Sequence, residues 1–555
     1  MSYSRRAALL SAALLMVAQP VLAAPKAKTP AASFTPSPDA IRAHMTFLAD
    51  DLLEGREAGT RGYDLAANYV ASQYAQLGVK PGAADGSFHQ RVPLLAFKNA
   101  SEGAFSVTGA DGKDMALKFG EDYLPAAQAQ AAEVSVNAPL VFVGYGVVAP
   151  EKGRDDYAGL DVKGKIVVLL SGAPSMFQTE ERAHYGNVTV KRIEAAKRGA
   201  AGVITMGTIS SEKRRPFERG VANYREWRMT WRDTQDVGYV RGVSAPTLAS
   251  VSPKGAAKLF AGAPTGLDAV LAAAETPQGA VKGFDLPLKA SVALKSEIEK
   301  RESSNVVGLI EGSDPTLKAQ TIILSAHLDH TGIDDHGKGP DKLNNGALDN
   351  ASGIATLLEV ARGFRNAKTK PKRTIVLLAV TAEEKGLVGS EYFANNPTVA
   401  KADIAANVNL DMPILLYPFL DVVAFGADRS TLGATVAKAA GRVGIALSGD
   451  PLPDEGLFTR SDHYRFVEQG VPSVFLMTGF QNGGEKAFKD FLATNYHKPS
   501  DDLKQPIDYV AAAKFALVNY EIARELADAK ARPVWKKGDF FGTQFAPAGH
   551  PSTAK

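Results

Sequence analysis

The 555-residue chain contains no cysteine, and that absence removes several chemistries together. It excludes a disulfide framework, a thiolate zinc site and a cysteine nucleophile. A metal centre would have to use imidazole and carboxylate groups, and only nine histidines are present. Charge of one sign is also lacking. The 63 basic and 60 acidic side chains leave a net charge of +3, too balanced for a dedicated nucleic-acid binder. Long apolar runs are missing except at the start, where residues 7–23 follow Arg5 and Arg6 and end at Val21-Leu22-Ala23, a small-residue cleavage pattern. The run is short for a membrane span and is interrupted by Pro20. It reads as a secretory signal over residues 1–24, with a membrane anchor as the alternative. Ser4-Arg5-Arg6 hints at twin-arginine export in place of the general secretory route. The expectation is an exported protein, periplasmic or secreted, with no stable membrane insertion after cleavage.

The remaining composition is that of a folded protein, 45% hydrophobic and 22% charged. At roughly 100–200 residues per domain the length implies several cores, or one large core with an insertion. Residues 25–36, rich in Ala, Pro, Lys and Thr, read as a linker. Ser37-Pro38 starts a helix with Ser as N-cap and Pro at the first helical position, and Ile41, Met45, Leu48 and Leu52 give it an apolar stripe. A second helix runs from about 63 to 77 and stops at Gly78. Residues 37–136 are read as the first part of the main domain. Residues 137–283 are read as a small inserted α/β unit with strand runs such as Lys165-Ile-Val-Val-Leu-Leu. The main domain resumes over 284–535, and 536–555 reads as a flexible tail. Four short continuous apolar runs lie in that last main segment: Thr321-Ile-Ile-Leu-Ser-Ala, Thr374-Ile-Val-Leu-Leu-Ala-Val, Ile404-Ala-Ala-Asn-Val-Asn-Leu and Val471-Pro-Ser-Val-Phe-Leu-Met. Such runs fit strands buried on both faces. The fold class is therefore α/β, a mixed sheet with a mostly parallel centre flanked by helices.

Acidic and imidazole groups gather where these runs end. His327 and Asp329 follow the first, Glu383 and Glu384 the second, and Asp411 the third. Ligands of open α/β sheets bind beyond the carboxyl ends of the strands, so three strands delivering metal-type ligands to one edge outweighs any single motif. Asp349 adds a carboxylate near a helix start, and His497 comes from a later loop, Asn495-Tyr-His-Lys-Pro. Oxygen and imidazole ligands suit catalytic zinc, and two histidines with several carboxylates suit two ions better than one. Adjacent Glu383 and Glu384 allow one to bind metal while the other handles a proton.

In that order, His327-Leu-Asp329, the Asp349 segment, Glu383-Glu384, Asn409-Leu-Asp411 and Tyr496-His497 resemble the M28 metallopeptidases. The resemblance implies a co-catalytic di-zinc enzyme acting on peptide substrates, most simply an aminopeptidase. It implies that His327, Asp349 and Asp411 hold one zinc and that Asp349, Glu384 and His497 hold the other, with Asp349 bridging. It also implies Glu383 as general base towards a zinc-bridging water, Asp329 as the group orienting His327, and Tyr496 as a hydrogen-bond donor to the oxyanion. Cobalt or manganese would fit the same ligand types. The 137–283 unit resembles the protease-associated (PA) domain inserted in some members, through Gly144-Tyr-Gly146, the 157–165 segment and Arg198-Gly-Ala-Ala-Gly202. A carboxypeptidase of the same family is the nearest alternative, with Arg429 or Arg460 available for a terminal carboxylate. A non-catalytic binding relative is the next, and the filled ligand set stands against it.

Other features have plainer readings. Ser461-Asp462-His463 carries the residue types of a hydrolase triad, but contiguous residues do not meet as one; Asp462 and His463 read as lining or bracing the metal pocket. His330 reads as a group behind the ligands. His44, His89, His184, His336 and His550 lack ligand context. The 212–241 segment holds Trp227 and Trp231 among eight basic and five acidic residues, and reads as a lid packing its aromatics on the main domain. A sharper version has it narrowing the cleft to select short peptides.

Overall fold

The four apolar runs form adjacent parallel strands in the order Thr374–Val380, Thr321–His327, Ile404–Leu410, Ser473–Thr478. These coordinates are a computed structural model that describes residues 34–334 and 339–547. The expected signal, most of the linker, His336 and His550 lie outside the described residues. Within the strands nearly every residue is buried, because both sheet faces are covered. Ile322, Leu324 and Ala326 pack into the core built with Pro38–Leu48, Ser352–Asn366 and Tyr509–Asp528, while Ile323, Val376 and Leu378 face Phe393 and Phe466 on the other side. Alternation that would show as polar and apolar in a one-sided sheet is thus apolar throughout. Antiparallel strands flank the parallel centre: the end of Phe284–Ile310 beside Thr374–Val380, and Asp421–Phe425 beside Ser473–Thr478. The result is the mixed, parallel-centred sheet read from the sequence. No helix among the described residues is long and apolar enough to cross a membrane.

The expected first helix forms as Pro38–Leu48, with the Ser37 side chain accepting the Ala40 N–H. It ends at Leu48, so Leu52 falls outside it and is exposed. The second is Arg61–Gln76, capped by Thr60.

The inserted unit is wider than 137–283. Its sheet takes in Ala104–Gly109, Asp114–Ala116, Tyr123–Pro125 and Glu133–Phe142, together with the first half of Phe284–Ile310. Three parallel strands, Ile166–Leu170, Gly202–Met206 and Thr247–Val251, complete it. The boundary escapes sequence reading because one 27-residue strand, Phe284–Ile310, runs through both sheets. Leu288–Ala293 pairs in the inserted sheet, whereas Ser296–Val306 pairs with His89–Asn99 in the main one. The short strands before 137 are half exposed and carry no long apolar run.

The 212–241 segment packs on the main domain. Arg228–Trp231 adds an edge strand beside His89–Asn99. Trp231 is buried, stacked on Tyr239 at 3.9 Å and edge-on to Tyr392 at 5.4 Å. Trp227 lies under the Lys98 and Arg301 side chains.

Two segments assigned to linker and tail are anchored. Phe34 is buried against Tyr520, 5.1 Å between rings, so the docked chain begins before residue 37. Beyond Trp535, whose indole N–H donates to the Gly470 carbonyl at 2.8 Å, the helix Phe540–Phe545 buries Phe541 against Phe458. The tail is therefore packed as far as 547. The stretch reads from sequence as a flexible tail, yet Phe541 is buried in the main core with Phe540 and Phe545 packed against it. Phe541→Ala should cost about 3–5 kcal/mol, as a fully buried aromatic does; a denaturation midpoint equal to that of the parent would show that the tail is loose.

Candidate metal centre

The carboxyl ends of three parallel strands place the ligands. His327 is the last residue of Thr321–His327, Asp411 directly follows Ile404–Leu410, and Glu383 and Glu384 lie three and four residues beyond Thr374–Val380. Asp349 sits in the turn Ala347–Ala351 that precedes the helix Ser352–Asn366, and His497 in the loop after Gly484–Thr494. Ala382, Met412 and His497 all have positive φ, between 43° and 54°. Left-handed backbone at three non-glycine residues beside or within the ligand set is strain of about 1–3 kcal/mol each, held by the surrounding packing.

All five residues expected as ligands converge, with Asp349 in the middle. His327 Nε2 stands 3.2 Å from Asp349 Oδ1 and 3.1 Å from Asp411 Oδ1. On the other side, His497 Nε2 is 3.3 Å from Asp349 Oδ2 and 3.0 Å from Glu384 Oε2. Each oxygen of one carboxylate thus faces a different imidazole, the arrangement a carboxylate shared by two cations requires. Two imidazoles and three carboxylates form the N/O donor set of a zinc-type divalent centre, and His327, Asp349 and Asp411 by themselves make a group able to hold one ion. Glu383 borders the same cavity, and with His327 and Glu384 it forms another group able to hold an ion.

A surrounding layer aims these groups. His327 Nδ1 donates to the Asp329 backbone carbonyl at 3.0 Å, which leaves Nε2 for the centre. The expected orienting role of Asp329 thus comes through its main chain; its carboxylate instead accepts the N–H groups of Glu383 and Glu384, at 3.1 and 3.3 Å. His330 is buried and pairs with Glu384 Oε1 at 2.7 Å. Ser461 Oγ donates to Asp411 Oδ2 at 2.5 Å while accepting from Asn409 Nδ2 at 2.7 Å. Asp462 and His463 are fully buried behind it, His463 between Phe458 and Phe475, so they brace the pocket rather than line it.

Two contributors were not read from the sequence. Asp501 accepts the Leu348 and Asp349 N–H groups, each at 3.0 Å, and so fixes the turn carrying the central carboxylate. Arg56 is a buried guanidinium that donates to the carbonyls of Leu48, Leu328, Asn345 and Gly346. It ties the segment after His327 to the segment before Asp349. Neither had a visible signal: Arg56 is one charged residue in a polar loop, and Asp501 one of an acidic pair.

Burial dominates the electrostatics. It works against the charged form of Asp349, but hydrogen bonds from His327 and His497 outweigh it and hold this carboxyl well below the usual range. Burial and the Asp349 charge oppose ionisation of Glu384, yet bonds from His330 and His497 bring it to about 2. Burial would lower His497, but its bonds to Asp349 and Glu384 lift it to about 10. Glu383 is pushed well above the ordinary carboxyl value by burial, reinforced by the charges of Glu384, Asp411 and Asp462. Asp329 rises to about 6 for the same first reason. Without metal, protons on the imidazoles occupy the electrostatic role of cations.

The ligand cavity is small, about 110 Å³. One wall carries the ionisable groups and the other is apolar, with Leu457, Phe475, Met477, Phe488 and Leu492; Glu455, Arg460 and Tyr496 also border it. The Tyr496 ring stacks on His497, 3.8 Å between centroids. Of the two arginines considered for a terminal carboxylate, Arg429 is tied up by Glu180 and Asp539 and sits over the Phe541 ring, away from the lining, while Arg460 borders it. No residue of the 212–241 segment is among the residues lining this cavity. The remaining described histidines have other partners: Tyr69 for His44, Ser304 for His89 and Tyr464 for His184.

Residues 305–523 match the model of peptidase family M28. A 231-residue stretch is 26% identical to a probable leucine aminopeptidase 2 of Aspergillus fumigatus, covering 39% of this chain and 42% of that protein. Another, of 266 residues, is 30% identical to leupeptin-inactivating enzyme 1 of Streptomyces exfoliatus, covering 42% of this chain and 58% of the relative. The chain therefore spans less than two thirds of the length of these curated relatives. Among solved structures, an aminopeptidase from Aneurinibacillus sp. strain AM-1 covers 94% of this chain and 99% of its own, with a TM-score of 0.50 at 19% identity, a likeness of fold.

A pH consequence follows from the imidazoles. With His497 lifted to about 10 in the metal-free protein, it is protonated at pH 7 and must lose that proton to accept zinc. Calorimetric zinc titrations in two buffers of different ionisation enthalpy should give different apparent heats, reporting net proton release. Equal heats would contradict the protonated cluster.

Proposed function

We propose that this chain, whose residues 305–523 match the model of peptidase family M28, is an exported di-zinc exopeptidase of that family that removes amino-terminal residues from peptides. The observation that carries the reading is the placement of Asp349 between two imidazole–carboxylate groups beside a small, half-apolar cavity. His327, Asp349 and Asp411 would hold one ion, and Asp349, Glu384 and His497 the other. When bound, zinc supplies Lewis-acid polarisation of the scissile carbonyl and of the attacking water.

The remaining work falls to side chains of this protein. Glu383 borders the cavity with a carboxyl raised by burial, which suits it to take the proton of the attacking water and hand it to the leaving amine. The Asp329 carboxylate accepts the backbone N–H groups of both Glu383 and Glu384, which fixes the main chain that carries the Glu383 side chain. Burial raises the Tyr496 phenol above its ordinary value, so it stays a donor to the oxyanion formed on the substrate carbonyl. A cavity of about 110 Å³ accepts one side chain, which favours cleavage at a chain end, and its Phe475, Met477 and Phe488 wall favours an apolar terminal residue.

An amino terminus is preferred over a carboxyl terminus because the cavity border is rich in carboxylates and Arg429 is already neutralised. Arg460 keeps the carboxypeptidase reading as the measurable alternative. The inserted unit is proposed as a PA-type domain, and export rests on the signal pattern of residues 1–24.

Matched short peptides with either end free or blocked, tested before and after chelation and zinc return, decide the matter. Cleavage that needs a free amino group and returns with zinc is expected; dependence on a free carboxyl group would move the assignment to carboxypeptidase. Glu383→Gln should keep its zinc and lose about 10²–10⁴-fold in turnover. Full activity in that variant would remove Glu383 as the base.

A further inference from the structure

The arginines of the 212–241 segment lead to a second site. A cavity of about 720 Å³ lies between the inserted unit and the main sheet, several times larger than the metal cavity and sharing no lining residue with it. Five arginines line it, Arg192, Arg215, Arg228, Arg241 and Arg465, against a single lining carboxylate, Glu391. Arg241 and Arg465 are neutralised, the first by Glu468 and the second by Glu468 and Glu391. Among the described residues the other three are in no ion pair. Arg192 donates to the Ala245 carbonyl and the Ser244 hydroxyl, and burial pulls it below its ordinary value.

Arg192, Arg215 and Arg228 bring three positive charges to one open cleft, where Arg215 and Arg228 are exposed and the charge of Glu226 acts on Arg228 without forming an ion pair. The planar fork of arginine matches carboxylate and phosphate oxygens two at a time. The Thr189 hydroxyl and the Asn187 amide lie along the same lining, whereas the Gln128 and Gln130 side chains already donate to backbone carbonyls. The volume is that of a small-molecule pocket.

We infer that this cavity is an oxyanion-binding site, taking a phosphate- or carboxylate-bearing small molecule or the acidic end of a peptide. Its floor includes Gly386 and Val388, directly after the Glu383–Glu384 pair. Gly386 is held at both ends, its N–H bonded to the Glu383 carbonyl at 2.8 Å and its carbonyl to Arg465 at 3.1 Å. An anion bound there would lie beside the loop that carries the proposed base.

The test measures binding directly and does not depend on the peptidase reading. Inorganic phosphate, succinate and an acidic tripeptide blocked at its amino end are each titrated calorimetrically into the full-length zinc-loaded protein. The same titrations are made into an Arg215→Ala/Arg228→Ala double variant and an Arg228→Lys variant. Any binding at the metals is common to all three proteins and cancels. Saturable binding of at least one probe, weakened tenfold or more in the double variant and by less in Arg228→Lys, which keeps the charge and loses the fork, is expected at an unchanged thermal midpoint. Which probe binds distinguishes free phosphate, small carboxylates and peptide ends. Equal affinity in parent and double variant, or no saturable binding of any probe, overturns the proposal. Because the arginines of 215 and 228 make no ion pair, their loss should leave the fold intact; a variant that fails to fold is replaced by Arg228→Gln alone, read the same way.

Discussion

The structure depends on burying a carboxylate between two imidazoles. Asp349 is almost without solvent contact, and both of its oxygens face histidine nitrogens at 3.2 and 3.3 Å. Asp411, Glu383 and Glu384 crowd the same space. So many acidic groups out of water are tolerable only when positive charge lies among them. Imidazolium protons serve in the metal-free chain, and the donor set offers the same positions to divalent cations.

The rest of the main domain follows from that constraint. Parallel strands buried on both faces are stiff and end together, so side chains placed after them share one edge. The surrounding layer then removes the remaining freedom. Asp501 holds the turn of Asp349, Asp329 holds the two glutamates, Ser461 and Asn409 hold Asp411, and Arg56 fastens two flanking segments through their carbonyls. Arg56 also places a buried cation near Asp329, Asp501, Asp349 and Glu384, although burial lowers it to about 10. A fixed guanidinium behind the acids reduces their repulsion without competing for the central position.

What was legible in the sequence was whatever combined a long pattern with an abrupt change. A short, mostly apolar run ending at His327, or leading to a pair of glutamates, marks both a strand and its functional end, and the structure keeps them there. Ser37-Pro38 was similarly plain, because N-cap chemistry is local. Features that depend on distant partners were not legible. Arg56 acquires its role from carbonyls nearly 300 residues away, and Phe541 acquires its burial from Phe458. The limits of the inserted unit were hidden for a third reason: Phe284–Ile310 continues as one strand through both sheets, so no break in pattern marks the passage.

That shared strand also makes the inserted unit part of the architecture around the centre. Its helix Thr179–Gly186 reaches the main domain through Glu180 to Arg429 and His184 to Tyr464. The central claim, however, concerns Asp349 as a ligand common to two ions. Elemental analysis of the purified, desalted protein tests it most directly when parent and Asp349→Ala are compared. The account predicts two zinc ions per parent chain and the loss of both in the variant, with the fold retained by circular dichroism. One ion per parent chain, or a variant that still carries two, would contradict it.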